Sequence, residues 1–275
     1  MPAFDLDAWV GRSGALDLDA FAWADVKKHP VSPHTVRALT YMQDIEFHTI
    51  IYLRALLATR VVDDPEVATF LACWVHEETF HGLAIARFLD AAGHPLPARA
   101  TPRGQEPLTN RLEAWATAVV SKTWPDFCAV HMTWGAINEL TALTGYRRLK
   151  AMDGHPVLGE LMERIALDES RHFFFYYRQA EVRLRRPGAA WIARALIDRF
   201  WAPVGSGVGA PAELEFMARY LFTGDEGRAA IRKVDETIQR LPGFERAQLL
   251  EAWVDRHVWP AGRLNGGGRN GDAFS

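Results

Sequence analysis

Two glutamate–histidine pairs, Glu78-Thr-Phe-His81 and Glu169-Ser-Arg-His172, restrict this chain more than any other feature in it. Each is preceded by a lone glutamate at nearly the same distance: Glu46 lies 32 residues before Glu78, and Glu139 lies 30 before Glu169. Residues at i and i+3 share a helix face, so each pair presents a carboxylate and an imidazole to one point. The count alone is weak, because 17 Glu and 10 His in 275 residues give about 0.6 such pairs by chance. Placement is what gives them weight. Steps of three and four residues through the four segments pick out Leu39, Met42, Glu46, Thr49 and Leu53, then Leu71, Trp74, Glu78, His81 and Ile85. The later two give Met132, Gly135, Glu139, Leu143 and Tyr146, then Met162, Ile165, Glu169, His172 and Tyr176. All six polar groups therefore fall on apolar stripes that face a helical core. Carboxylates are rarely buried without a partner. Four helices closing around a pair of metal cations satisfy this pattern, and a buried polar network without metal is the alternative.

The rest of the chain reads as helix punctuated by proline and glycine, with no strand alternation. A lead-in over 1–32 carries a short helix near 17–28. Residues 33–187 hold long helices at about 34–60, 65–91, 125–152 and 156–186, with a further helix at about 109–123. Arg185-Arg186-Pro187-Gly188 marks a change of character. An extension over 188–261 then carries shorter helices at about 189–201, 211–222, 225–240 and 244–257, read as packing around the bundle, covering its end or joining an interface. The tail, 262–275, is glycine-rich and expected to be disordered.

The stretch Trp74-Val-His-Glu-Glu-Thr-Phe-His81-Gly82 resembles the second-helix signature of the soluble acyl-carrier-protein desaturases, and Ile165-Ala-Leu-Asp-Glu-Ser-Arg-His172 resembles the fourth. Asn138-Glu139 stands where that family has Gln-Glu. The resemblance covers roughly residues 35–186. It implies an all-α, ferritin-like four-helix bundle with additional C-terminal helices. It also implies two iron ions, or a manganese–iron pair, held by Glu46, Glu78, His81, Glu139, Glu169 and His172, with dioxygen as co-substrate and an external, ferredoxin-like electron donor. Hydrogen would be removed from an unactivated C–H bond of a fatty-acyl substrate, free or on an acyl-carrier protein, by a homodimer. By the same analogy Asp168 orients His81 across the bundle. One departure loosens the reaction type. The family carries a threonine three residues after the third-helix glutamate, where this chain has Ala142. Two other classes fit the same ligands: a di-iron oxygenase of a small acid, amine or amino acid, and a ferritin-like iron store.

Other features narrow the class. The net charge of −3 gives no basic excess for nucleic acid. Cys73 and Cys128 lie in apolar helical stretches and are expected to be buried and reduced. No apolar run approaches the ~18 residues of a membrane span, so a cytoplasmic protein is expected. His48 and His76 lie off the ligand faces, and His131 stands two turns before Glu139. Basic residues gather at Arg147, Arg148 and Lys150 and at Arg183, Arg185 and Arg186, where helix C-termini favour cations in any case.

Overall fold

Prolines and short polar side chains set where the long helices begin. The computed structural model describes residues 4–96, 127–206 and 208–258. After a five-residue helix α1 (Leu6–Val10), helix α2 (Pro33–Leu57) starts behind Ser32, whose Oγ accepts the Thr35 N–H. Helix α3 (Pro65–Ala91) starts behind Asp64, whose carboxylate accepts from Glu66 N. Helix α4 (Phe127–Met152) leads to α5 (Pro156–Leu184), which starts behind His155. Proline at the first helical position has no N–H to satisfy there and already holds a helical φ. At the other end of α3, Gly93 takes φ +89° while His94 N–H returns to Leu89 O at 2.8 Å, closing the helix.

These four helices make an all-α bundle, and no strand occurs among the described residues. α2 packs along α3 and α4 along α5 as two antiparallel hairpins. The two pairs meet through α3 and α5, so the stripes read from the sequence converge on one interior. One close approach needs a glycine. A Cβ at Gly135 on α4 would overlap the buried Tyr176 ring of α5, so only glycine lets these helices approach with that ring between them. Tyr176 in turn meets Phe70 and Trp74 of α3 edge-on.

The extension consists of α6 (Ala189–Phe200), α7 (Pro211–Phe222), α8 (Gly224–Ile238) and α9 (Leu249–His257). α6 and α8 pack on α4, and α7 packs on α8 and reaches both α2 and α4. α9 packs on α8, held there by one buried carboxylate. Asp235 accepts the N–H groups of Leu249, Leu250 and Glu251 at 3.0–3.2 Å, which serves the open first turn of α9 from a neighbouring helix. Asp235→Ala strands those donors, and is expected to cost about 2–3 kcal/mol and roughly 5–10 °C in calorimetric Tm. A variant melting with the wild type would refute this capping role.

The described boundaries differ from the sequence expectation in a few places. Residues 18–20 and 23–28 form two 3-10 turns rather than a helix over 17–28. Side chains compete with helical bonding there: Asp17 accepts from Asp19 N, and the Trp23 indole donates to Leu18 O. The last helix begins at Leu249 rather than 244, because Asp235 starts it at that point. Both cysteines are free and only partly buried. Arg148 and Lys150 pair with Glu226 and Glu163, while Arg183 turns inward to Asp64 and Gln179. No helix is long and apolar enough to cross a membrane among the described residues. The expected helix at 109–123 and the glycine-rich tail from 262 lie outside them.

Candidate metal centre

The six expected ligands come from four helices: Glu46 from α2, Glu78 and His81 from α3, Glu139 from α4, and Glu169 and His172 from α5. All six are buried, the histidines completely. They converge in two overlapping groups. Glu46, Glu78, His81 and Glu169 make one, and Glu78, Glu139, Glu169 and His172 make the other, with ligand atoms in each within 4.8 Å of one another. Glu78 and Glu169 belong to both. Glu78 turns Oε1 to His172 Nδ1 at 3.0 Å and Oε2 to His81 Nδ1 at 4.0 Å. Glu169 turns Oε1 to His81 Nδ1 at 3.3 Å and Oε2 to His172 Nδ1 at 3.7 Å. Each of these carboxylates thus divides its two oxygens between two points, as a bridging ligand must.

The residues fit a pair of cations by a second criterion. Glu46 Oε2, Glu78 Oε1, Glu169 Oε1, His81 Nδ1 and His172 Nδ1 are buried and make no well-formed hydrogen bond, facing one another only as ion pairs. Such atoms are uncommon in native interiors and call for an explanation; a bound cation is one for the five that gather at this point. Oxygen and imidazole donors in this number suit first-row metals. The buried Glu/His cluster can hold metal.

The outward nitrogens of the histidines are spoken for. His81 Nε2 meets Asp168 Oδ2 at 3.1 Å, the contact expected from the resemblance. His172 Nε2 meets Glu77 Oε2 at 2.7 Å, a partner the motif reading missed. The signal was present, since Glu77 precedes Glu78 as Asp168 precedes Glu169. Each half of the bundle lends the acid before its shared glutamate to the other half's histidine. Arg171 bonds Asp168 and lies 3.9 Å from Glu77, so one guanidinium links the two acids. Gly14 N–H also donates to Glu77, at 3.3 Å. Tyr146, buried on α4, donates its hydroxyl to Glu46.

Without a cation the centre holds protons instead. Burial pushes the carboxyl of Glu78 up to about 7 and that of Glu139 up to about 8, both helped by the charge of Glu169. Glu46 stands well above the carboxylate range through burial and the charge of Glu78. Burial works against a charged His81, yet Asp168 and Glu169 raise it to about 10. Burial would also raise Glu169, but the two histidines hold it below its ordinary value.

The other histidines lie elsewhere. His76 is exposed, and His131 bonds Tyr52 at 3.3 Å rather than any ligand. Ala142 lines a narrow cavity beside Glu46 of about 70 Å³, partly open to solvent, with almost wholly apolar walls. Thr141, on the cavity wall, and Thr144 donate their hydroxyls to Ile137 O and Leu140 O of their own helix. No family model, curated protein or solved structure matches this chain.

Proposed function

We propose that this protein is a dioxygen-dependent, non-haem di-iron oxidase that acts on an unactivated C–H bond of a fatty-acyl chain. The observation that carries the reading is the pair of overlapping donor groups sharing Glu78 and Glu169, with ligand atoms at its centre that make no well-formed hydrogen bond. Glu46 and Glu139 are the terminal carboxylates, one for each group. Iron held there supplies redox chemistry toward dioxygen, with electrons from an external, ferredoxin-like carrier.

The chain's own contribution is orientation, dryness and charge. Asp168 and Glu77 fix the two imidazoles with Nδ1 turned inward. Tyr146 holds Glu46 at the boundary between metals and cavity. The apolar cavity favours an aliphatic substrate over the small acid, amine or amino acid of a polar-substrate oxygenase, since its walls are almost wholly carbon and Glu46 is the one charged group among the described residues on them. It also disfavours iron storage, which needs a polar route for hydrated ions. Ala142 leaves desaturation and hydroxylation both open as outcomes.

The test is the metal-loaded protein. About two iron ions per chain are expected by elemental analysis, with dioxygen uptake from the reduced protein accelerated by a straight-chain acyl substrate. Iron content unchanged in both Glu78→Ala and His172→Ala would sink the proposal.

A further inference from the structure

Most of the wall of the cavity beside Glu46 comes from the extension, which carries none of the metal-ligand candidates. Met217 and Leu221 of α7 and Leu250, Trp253 and Val254 of α9 line it, facing Ala142 and Gly145 of α4. Gly145 is the informative position. It stands inside a helix, where glycine costs stability relative to alanine, and its backbone needs no unusual φ. Nor does packing demand it. An added Cβ would lie 3.6 Å from Leu221 Cδ1 and 3.8 Å from Met42 Cε, which are ordinary contacts. Gly82 and Gly135 differ, since a Cβ there would run into the rings of Phe47 and Tyr176. What Gly145 provides is space, on the wall next to Glu46 and Tyr146.

On the outer part of the lining, Trp253 stands with Val204 and Leu214, all half-buried. Trp253 is the largest side chain in the lining, yet it is only partly buried and stacks on His257 of its own helix, ring centroids 4.6 Å apart. The cavity wall thus includes both the buried Glu46 and a partly exposed indole on α9.

We infer that Gly145 and Trp253 are specificity-determining residues, Gly145 leaving width for an aliphatic chain beside Glu46 and Trp253 setting how long a chain the cavity encloses. This rests on the oxidase reading for its substrate class but not for its test. α9 is held by Asp235 rather than by any ligand helix, so the Trp253 end of the cavity is built apart from the metal-ligand candidates, whereas Gly145 shares α4 with Glu139.

The experiment uses the full chain without metal and reads displacement of dansyl-undecanoic acid by saturated fatty acids from octanoate to stearate. Wild type is expected to prefer one length. Trp253→Ala should move that preference longer by about two carbons or more, each buried methylene being worth about fourfold in binding. Gly145→Leu should weaken every chain by roughly 15- to 60-fold, the loss of two to three such methylenes. Gly145→Ala, which fits the backbone and the packing, should fold and weaken binding by a smaller factor. Length profiles unchanged in the folded variants overturn the inference, as does a probe that no chain displaces from wild type. That second result with normal iron loading leaves the oxidase reading standing. Chain binding in a protein that loads no iron sinks the oxidase reading instead.

Discussion

Glu169→Ala is expected to lose both metal ions together, dropping iron from about two per chain to near zero and abolishing dioxygen uptake. Glu169 belongs to both donor groups and faces both histidines, so removing it opens two coordination spheres at once. Loss of an outer-sphere partner already costs 10–100-fold in metal affinity, so loss of a shared ligand should cost more than ~100-fold at each site. Glu78→Ala should behave alike. Glu46→Ala and Glu139→Ala each touch one group only and should retain about one ion. The metal-free fold should tolerate loss of Glu46, Glu78 or Glu139, since each removes a desolvated like charge. Glu169→Ala, by contrast, also takes a counter-charge from His81 and His172 and should lower the melting temperature. Elemental analysis beside circular dichroism separates loss of metal from loss of structure. A folded Glu169→Ala protein that keeps both ions would end the shared-ligand account.

Removing metal from the wild type should lower its melting temperature by roughly 10 °C. A ligand present at a thousand times its dissociation constant stabilises the native state by about 4 kcal/mol, and a chain of this size shifts by a few degrees per kcal/mol. Bound cations would also satisfy five buried atoms that make no well-formed hydrogen bond. The gap should widen between pH 6 and 8. In the metal-free protein Glu78 and Glu139, raised from 4.5 to about 7 and about 8, favour folding while protonated. That contribution is complete below the ordinary carboxylate value and fades as pH rises through 7 and 8. His81, raised to about 10, loses its share over a higher range. Cations displace those protons and bind better as pH rises. Thermal melts with and without a chelator, across this range, check both the size and the sign. Equal melting temperatures at all pH values would show that no metal is held.

The ligand set was legible because its code is local. Helical spacing puts Glu78 with His81 and Glu169 with His172 whatever the tertiary structure does, and apolar neighbours at steps of three and four show which way they point. Asp168 could be named for the same reason, standing beside a ligand in a motif with a known resemblance. Glu77 carried the same signal and was passed over, since a doubled glutamate looks redundant until its partner histidine is located on α5. Tyr146 was placed on the core stripe, but its hydroxyl's target on α2 lies 100 residues away in sequence. The short 3-10 turns near 18–28 were misread because side-chain bonds, not periodicity, govern segments of that length.

The sequence by itself determined the all-α class, the four ligand stripes and the six donors, since each follows from spacing within one helix. Tertiary structure alone decided the rest. The sharing of Glu78 and Glu169 between two groups depends on how α3 and α5 face each other. The crossed pairing of His81 with Asp168 and His172 with Glu77 depends on the same juxtaposition. The apolar cavity depends on α7 and α9 folding back over Ala142 and Gly145, held by the Asp235 cap. Periodicity shows which face of a helix is buried; which helix meets that face is settled by packing between segments far apart in the chain.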